Sequence, residues 1–232
     1  MIKVYWHSSE QMDEVDDNSV KLVLTSPGWP DPKYGISKEY LDNYYSSIKK
    51  ILENCYKKLR DDGYLVLQVT DNYREGTLLM RHINFCQIIK SIGYNIFTIK
   101  IWSRGDFVEL YVPSFSYLIF ASKAKRKKLE DIKRMHQKPF GYDVWKITEE
   151  YKWFKKYGAF PSELARRVIL CFTEEGDIVL DPFLGTGTTV IVADNLNRIG
   201  IGYEINPELK EVFELRKKSI GGSLEKWCIS QL

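Results

Sequence analysis

One stretch near the carboxyl end of the chain constrains the fold most strongly, because it combines an apolar run, a glycine turn and a helix. Residues 177–181 read Asp-Ile-Val-Leu-Asp, which is typical of a buried parallel strand. Gly185 and Gly187 follow, and the absence of a Cβ there lets the backbone turn sharply and a ligand approach closely. A helix over 188–195 and a second strand over 198–203 are expected next, which together form a βαβ unit.

An acidic residue completes this pattern. Glu204 follows the second strand, 23 residues after Asp181, where an acid can accept hydrogen bonds from ribose hydroxyls. The turn lacks both the Gly-Lys-Ser/Thr ending of a phosphate-binding P-loop and the Gly-x-Gly-x-x-Gly spacing of dinucleotide sites. A nucleoside cofactor without a pyrophosphate, such as S-adenosylmethionine (SAM), therefore fits better than NAD. A tight connection without a ligand is the alternative.

A second motif lies far upstream, at the end of another predicted strand over 20–24. In open α/β sheets, ligands bind outside the carboxyl ends of the strands. The Ser26 hydroxyl and the Pro27 carbonyl offer two acceptors there, and Trp29 offers a stacking face. These groups suit a planar base with an exocyclic amino group. Taken alone, the tetrapeptide over residues 26–29 is equally a turn with a half-buried tryptophan.

The upstream motif at Ser26 resembles motif IV of the SAM-dependent DNA amino-methyltransferases, and the glycine turn resembles motif I. The order, with motif IV before motif I, resembles the β class of that family. Residues 4–29 resemble the entry into motif IV, and residues 157–169 resemble the motif X that precedes motif I. The resemblance implies a Rossmann-like α/β fold with a mostly parallel sheet and a closing antiparallel hairpin. It also implies a circularly permuted motif order and a small insert.

The resemblance further implies an activity and its residues. Ser26 stands where adenine-N6 enzymes usually carry Asp or Asn, and it resembles the cytosine-N4 subgroup. The expected function is site-specific transfer of a methyl group from SAM to N4 of a flipped cytosine in double-stranded DNA, with catalytic roles for Ser26, Pro27 and Trp29. The expected SAM-binding residues are Phe160, Asp181, Phe183, Gly185, Gly187, Thr188 and Glu204. An enzyme acting on adenine-N6 or on RNA, and a SAM-binding nucleic-acid module with little catalysis, are the alternatives.

Two positions depart from the family pattern. Motif IV commonly has two prolines, and Gly28 stands in place of the second. The family usually carries Gly-Asp-Ser near the amino terminus, where this chain has His7, Ser8 and Ser9. We expect a looser loop around Trp29 and a weakened or rearranged contact with the adenine of the cofactor.

Charge is distributed unevenly along the 232 residues, although the net charge is only +3. Residues 123–157 contain 12 Lys and Arg against five Asp and Glu, whereas the rest has 22 basic and 26 acidic residues. Such asymmetry favours a surface for a polyanion, and in the family this region holds the target-recognition segment. We therefore predict an insert over 122–156, between the catalytic-domain segments 1–121 and 157–232.

The insert also gives predicted DNA contacts. A charged helix is expected over 123–135, and a merely solvated helix is the alternative to a DNA-binding one. The predicted partners are double-stranded DNA and a cognate restriction endonuclease, while the oligomeric state is left open. The basic residues chosen as DNA contacts are Lys125, Arg126, Lys128 and Arg134.

Other chemistries are disfavoured. Cys55, Cys86, Cys171 and Cys228 form no close pairs, which predicts buried thiols in a reducing cytosol and neither disulfides nor a zinc site. No Pro is followed by Cys, so the nucleophile of carbon-5 cytosine methylation is missing. The chain shows no run of membrane length and no signal-peptide pattern, which predicts a cytoplasmic protein without membrane contact.

Hydrophobic spacing also predicts the scaffold. Asn206 is expected to cap a last helix, with Pro207 at its first position. The remaining helices are predicted over 40–59, 78–92 and 163–172, and the remaining strands over 64–70, 94–102 and 115–121.

Overall fold

The computed structural model describes residues 1–30, 37–105, 113–125 and 129–224. The strands in these ranges are β1 (Ile2–Tyr5), β2 (Val20–Thr25), β3 (Leu59–Val69), β4 (Asn72–Arg74), β5 (Thr77–Leu79), β6 (Asn95–Ser103), β7 (Phe115–Ser122), β8 (Val144–Lys146), β9 (Ile178–Asp181) and β10 (Ile199–Tyr203). The helices are α1 (Lys38–Lys58), α2 (Arg81–Ile92), α3 (Leu129–His136), α4 (Tyr151–Tyr157), α5 (Ser162–Phe172), α6 (Thr188–Asn195) and α7 (Leu209–Leu224).

Eight of these strands build one sheet in the order β1-β10-β9-β2-β3-β7-β6-β8. The first five strands in this order run parallel, whereas β7 is antiparallel to both β3 and β6. Strand β8 runs parallel to β6 at the edge. The mostly parallel sheet and its closing antiparallel hairpin are thereby confirmed.

Helices cover both faces of the sheet, and β2 shows how. Leu22 and Leu24 join a core cluster that includes residues of α5 and α6. Val23, between them, joins a second cluster with α1 and α2 on the opposite face. Side chains alternate between faces along a strand, so a strand covered on both sides must be apolar throughout. This explains why β2 reads as a continuous apolar run.

The permuted chain order places β9 beside β2, although more than 150 residues separate them in sequence. Strand β2 continues through α1 to β3 on one side, while β9 continues through α6 to β10 on the other side. The chain thus leaves these neighbouring strands in opposite directions. A crevice opens at the carboxyl ends of strands at such a switch point.

The helix predicted over 78–92 begins later than expected, at Arg81. Residues 72–79 instead form a two-stranded hairpin of β4 and β5. The two turn residues, Glu75 and Gly76, have φ values of 50° and 76°. Two successive left-handed residues characterise the hairpin turn whose twist matches that of the flanking strands. The turn therefore delays the start of the helix by three residues.

The helix in the insert also differs from its predicted bounds. Its helix was expected over 123–135, but among the described residues α3 spans Leu129–His136. The Lys123 N–H bonds the Gly63 carbonyl beside the sheet, so the chain does not enter a helix at Lys123. The insert also provides β8, and Trp145 of this strand is buried in the core beneath α5. The boundaries of the insert stay a prediction, but part of it belongs to the central sheet.

Candidate active site

A cleft of about 160 Å³ lies at the carboxyl edge of the sheet, where the two sequence motifs meet. Its lining comes from residues 26–29 after β2, residues 157–160 before α5, and residues between 181 and 188 after β9. Gly187 and Glu204 lie next to this lining and support it. The predicted site residues that line the cleft are Ser26, Pro27, Trp29, Phe160, Asp181, Phe183, Gly185 and Thr188.

The glycine turn after β9 is shaped by both backbone and packing. Gly185 and Gly187 have φ values of 53° and 85°, which other residues rarely adopt. A Cβ on Gly187 would lie 2.4 Å from the Phe213 ring of α7, so packing also excludes a side chain. A Cβ on Gly185 would meet no atom closer than 3.9 Å. The backbone of Gly185 is therefore open to a molecule in the cleft.

Glu204 closes this turn from the neighbouring strand. One carboxylate oxygen accepts the Gly185 N–H at 2.8 Å, and the other accepts the Asn206 N–H at 2.9 Å. Asn206 in turn accepts the Glu208 N–H with its side chain, although α7 begins at Leu209 and not at Pro207 as expected. A carboxylate has about four acceptor positions. Glu204 therefore keeps capacity for further donors at the tip of β10.

Asp181 is buried, with 2% of its surface exposed, and its carboxylate connects the two motifs. Oδ1 accepts hydrogen bonds from the Thr25 hydroxyl at 2.5 Å and from the Phe183 N–H at 3.1 Å. Burial raises the pKa of Asp181 to about 6, although the hydrogen bonds from Thr25 and Thr189 act in the opposite direction. The carboxylate has a structural role, and its contact with a cofactor stays a prediction.

The groups around the turn fit a nucleoside. Thr186 lines the cleft with a buried hydroxyl that has no hydrogen-bond partner among the described residues. Phe160 and Phe183 supply apolar walls, and Glu204 supplies an acceptor beside the turn. Binding sites for small molecules combine mostly apolar walls with a few placed polar groups. The residues present are thus compatible with the cofactor that the sequence predicts.

The Ser26 hydroxyl is oriented by a residue that the sequence reasoning missed. Ser26 Oγ donates to Gln68 Oε1 at 2.5 Å, and Gln68 Nε2 donates to Thr70 Oγ1 at 3.0 Å. Gln68 is buried in β3, where polar residues interrupt an apolar run. That interruption was the available signal, because a polar side chain inside a buried strand needs a partner.

The polar chain continues away from the cleft. Thr70 Oγ1 lies 2.6 Å from Ser116 Oγ, which accepts a hydrogen bond from the Arg104 guanidinium at 2.8 Å. Arg104 is buried against the rings of Trp102 and Phe154. Chains of hydrogen bonds in a protein interior polarise one another. Ser26 thus belongs to a buried network that spans β3, β7 and the end of β6.

Trp29 has half of its surface exposed, and its role as a stacking face stays a prediction. The Arg81 guanidinium lies 5.8 Å from its ring centroid and bonds the carbonyl oxygens of Pro27 and Gly28. Arg81 is the second site residue missed by the sequence reasoning. No local pattern marks it, since the contact joins positions more than 50 residues apart.

The segment His7, Ser8 and Ser9, which departs from the family pattern, also contacts the carboxyl edge of the sheet. Ser9 Oγ donates to the Pro182 carbonyl at 2.8 Å, directly before the glycine turn. His7 Nε2 lies 2.9 Å from Glu14, and the Glu14 carboxylate also accepts from the Tyr203 hydroxyl. The segment is therefore attached to motif I through its own contacts.

The basic residues predicted to contact DNA do not form one described surface. Lys125 is exposed and lines a larger cavity of about 830 Å³ between the insert and the sheet. Arg134 pairs with two carboxylates, one of them Asp131 at 2.8 Å, so its charge is already balanced. Arg126 and Lys128 lie outside the described residues. The DNA contacts stay a prediction.

The described residues contain no group of three or more His, Cys, Asp and Glu side chains that could hold a metal ion. Cys55 and Cys171 are free and buried, Cys86 is free and half-buried, and Cys228 lies outside the described residues. Burial raises the pKa of the Cys171 thiol to about 12, which disfavours a nucleophilic thiolate. In the described ranges, no helix is both long and apolar enough to span a membrane.

The comparison with known families decides the class of the protein. A family model for N6/N4 methyltransferases, described as DNA methylase, matches residues 20–215. The chain belongs to this family. The match contains both the Ser26 tetrapeptide and the glycine turn, so the resemblance predicted from these motifs is confirmed. The protein is a DNA methyltransferase of the N6/N4 class.

Individual relatives are distant but cover most of the chain. The Type II methyltransferase M.MjaI of Methanocaldococcus jannaschii is 25% identical, over 94% of this chain and 93% of that protein. Among solved structures, the cytosine-N4-specific PvuII DNA methyltransferase superposes with a TM-score of 0.79 at 21% identity, covering 93% of this chain and 86% of that one.

A second solved structure contains a cofactor. A Thermus thermophilus protein crystallised in complex with S-adenosyl-L-methionine superposes with a TM-score of 0.77 at 22% identity, covering 94% of this chain and 93% of that one. At such identities the likeness establishes the fold. The cofactor bound in that neighbour is the one that the motifs of this family member predict.

Proposed function

We propose that this DNA methyltransferase transfers a methyl group from SAM to the exocyclic N4 amino group of a cytosine flipped out of double-stranded DNA. The position of the Ser26 hydroxyl carries the proposal. It lies at the carboxyl end of β2, in the same cleft as the glycine turn, and donates its hydrogen to Gln68. The lone pairs of Ser26 Oγ are therefore available to a donor that enters the cleft.

The cofactor half of the cleft follows from the groups around the turn. SAM, when bound, supplies a methyl group on a sulfonium, which is an electrophile. We assign Glu204 to the ribose hydroxyls, because a carboxylate at the tip of the second strand suits them. Phe160 and Phe183 provide the apolar contacts for the adenine, while the Gly185 backbone and the Thr186 hydroxyl provide polar ones.

The acceptor half of the cleft, which contains Ser26 and Pro27, addresses the weak nucleophilicity of the substrate. The exocyclic nitrogen of cytosine shares its lone pair with the ring. Acceptance of its two hydrogens by Ser26 Oγ and the Pro27 carbonyl would concentrate that lone pair on the nitrogen, directed at the methyl group. No covalent bond to the enzyme is required: the carbon–nitrogen bond would form as the carbon–sulfur bond breaks, which would leave the neutral thioether of the cofactor, and the methylated nitrogen would lose one proton to water. Positioning of the two reactants is the main contribution, which can reach ~7–11 kcal/mol of the barrier.

Access to the amino group requires the base to leave the duplex. Flipping a nucleotide costs a few kcal/mol, and stacking on an aromatic ring returns ~1–3 kcal/mol. Trp29 is suited to this role because half of its surface is exposed beside Ser26 and Pro27. The exposed Lys125 of the insert is a candidate for contact with the DNA backbone.

The choice of cytosine over adenine rests on Ser26. A hydroxyl is smaller than the carboxylate or amide that adenine-N6 enzymes usually carry at this position. It can also donate as well as accept, so the preference depends on the geometry of the pocket around Trp29. Adenine-N6 methylation is the second candidate. Pairing with a restriction endonuclease stays a prediction.

The decisive experiment identifies the methylated base. The protein is incubated with radiolabelled SAM and either a mixture of DNA substrates or a mixture of RNAs, and each nucleic acid is then digested to nucleosides and separated. We expect label in N4-methylcytosine, and labelling slower on the order of a hundredfold or more in a parallel reaction with Ser26→Ala. Label confined to N6-methyladenine would refute the base assignment while leaving the DNA methyltransferase class intact. SAM binding without any label in DNA or RNA would refute catalysis.

A further inference from the structure

The loop that follows β2 lacks a feature that would make it rigid. Gly28 stands where the family commonly has a second proline, and proline fixes φ at about −65°. Gly28 does not occupy the left-handed region, and a Cβ on it would meet no described atom within 4 Å. Neither backbone conformation nor packing in the described residues therefore requires glycine here. Contacts from other elements could therefore restrict the loop in place of a proline.

Arg81, the first residue of α2, supplies contacts to this loop from outside. Its Nη2 donates to the Gly28 carbonyl at 2.9 Å and to the Pro27 carbonyl at 3.1 Å. Its Nη1 donates to the Thr70 carbonyl at 3.2 Å, beyond the end of β3. The Tyr44 hydroxyl completes the arrangement, since it accepts from Arg81 and donates to the Gly28 carbonyl. One guanidinium therefore links the loop to α2 and to the sheet.

The surroundings of Arg81 restrict its role. Only 1% of its surface is exposed, so it cannot reach a DNA phosphate without leaving its contacts. No carboxylate forms an ion pair with it in the described ranges, and its planar group lies 5.8 Å from the Trp29 ring centroid and 5.6 Å from that of Phe85. A buried charge is costly unless other groups compensate it. Here, carbonyl dipoles and aromatic faces provide the compensation.

We propose that Arg81 is the positioning residue of the base-binding loop, residues 26–29, and replaces the rigidity that a second proline would give. The inference rests on the proposed function of Ser26, Pro27 and Trp29. A carbonyl oxygen has two lone pairs. Arg81 occupies one side of the Pro27 carbonyl and thereby fixes the direction in which the other lone pair accepts the amino hydrogen. The same guanidinium also contacts the Trp29 ring and holds it in place.

The test is a double-mutant cycle between Arg81 and Gly28. Arg81→Met keeps much of the length of the side chain but removes its donors, and we expect kcat to fall by roughly a hundredfold, since small misplacements cost that much. The affinity for SAM should change less than about twofold, because the cofactor contacts are elsewhere. Gly28→Pro alone is measured as the second single variant of the cycle, so that its own effect on kcat is subtracted from that of the double variant. In the double variant, Gly28→Pro should restore about tenfold of the kcat that Arg81→Met loses.

A second measurement on the free protein separates this inference from the proposed function. Hydrogen exchange of the peptide covering Ser26 and Trp29 should accelerate in Arg81→Met and slow again when Gly28→Pro is added. Arg74→Met, in the nearby hairpin, serves as the matched control and should change neither kcat nor exchange in that peptide. If the wild type methylates no DNA, the proposed function fails, and the exchange data alone then decide the role of Arg81.

Two results would overturn the inference. Unchanged exchange in a folded Arg81→Met variant would show that the loop does not depend on the guanidinium. A loss of kcat that Gly28→Pro does not restore, together with a lower melting temperature, would show that Arg81 only supports the fold. Recovery of both kcat and slow exchange in the double variant would establish the positioning role.

Discussion

The Thr25 hydroxyl donates a 2.5 Å hydrogen bond to the Asp181 carboxylate, across 156 positions of sequence. Thr25 ends β2 directly before Ser26, and Asp181 ends β9 directly before the glycine turn. The bond therefore connects the residue next to the proposed base-binding loop with the residue next to the glycine turn. In the proposed reaction, any shift between these two strands would change the distance between the base and the cofactor.

The pH dependence of stability should reveal this carboxylate. Burial raises the pKa of Asp181 from its ordinary value of 3.8 to about 6. The folded state then binds the proton more tightly than the unfolded state, so the free energy of unfolding should decrease as the pH rises from about 4 to about 6. Asp181→Asn should flatten this decrease in denaturant titrations. Asp42→Asn, on the exposed side of α1, should not, and equal slopes in both variants would argue against a raised pKa.

Removal of the charge on Glu204 should weaken SAM binding. Glu204→Gln keeps one oxygen for the Gly185 or Asn206 N–H but loses the ionised acceptor. We expect calorimetry to show a loss of ~1–3 kcal/mol in binding free energy, the cost of unpairing a charged hydrogen bond. Glu208→Gln, four residues further on, is the matched control. Unchanged affinity in folded Glu204→Gln would remove this residue from the cofactor site.

Loss of the Ser26 hydroxyl should act on turnover alone. In Ser26→Ala, the amino group loses an acceptor that matters chiefly in the transition state, so kcat should fall on the order of a hundredfold or more. SAM affinity should match that of the wild type, because Ser26 lies in the acceptor half of the cleft. Single-turnover measurements with saturating SAM would check this, and a variant with near-normal turnover would place the catalytic acceptor elsewhere.

Replacement of Gln68 should show whether the orientation of Ser26 matters. Gln68→Leu leaves the Ser26 hydroxyl hydrogen without its acceptor, and we expect kcat to fall about tenfold, the equivalent of roughly 1.4 kcal/mol. Gln68→Glu keeps an oxygen at the same position and should retain most of the activity above the pKa of the introduced carboxyl. If both variants lose activity equally, the residue supports the strand and does not orient Ser26.

The insert should determine how DNA binding responds to salt. If its lysines and arginines contact phosphates, reversing the charge of Lys125, Arg126 and Lys128 should reduce the slope of log affinity against log salt concentration by about one unit for each lost contact. SAM affinity should stay unchanged. Lys50→Glu on α1 is the control. An unaltered slope in the triple variant would favour a merely solvated basic segment.

The parts of this molecule that sequence could predict are those specified by neighbouring residues. The βαβ unit around Gly185 and the strand before Ser26 follow from local patterns, and the structure has both. The Asn206 side chain accepts the Glu208 N–H as a cap would, but the last helix begins at Leu209 and not at Pro207. The late start of the helix at Arg81 arises from a two-residue turn that overrides hydrophobic spacing.

The supporting contacts of the site could not be predicted in the same way. Arg81 meets Pro27 and Gly28 only because the start of α2 lies beside the loop after β2, and Gln68 meets Ser26 only because β3 pairs with β2. Such contacts depend on the register and order of the sheet, which no window of sequence contains. Gln68 at least left a trace as a polar residue in an apolar strand, whereas Arg81 left none.

Because β8 belongs to the central sheet, the basic insert cannot be exchanged as a cassette. A chimera that replaces 122–156 with the corresponding segment of a relative would remove an edge strand and the buried Trp145 along with any DNA-reading residues. Splice points on either side of α3, with Val144–Lys146 retained, would preserve the sheet. Chimeras that are made to transfer target preference between members of this family should therefore have their junctions inside the insert.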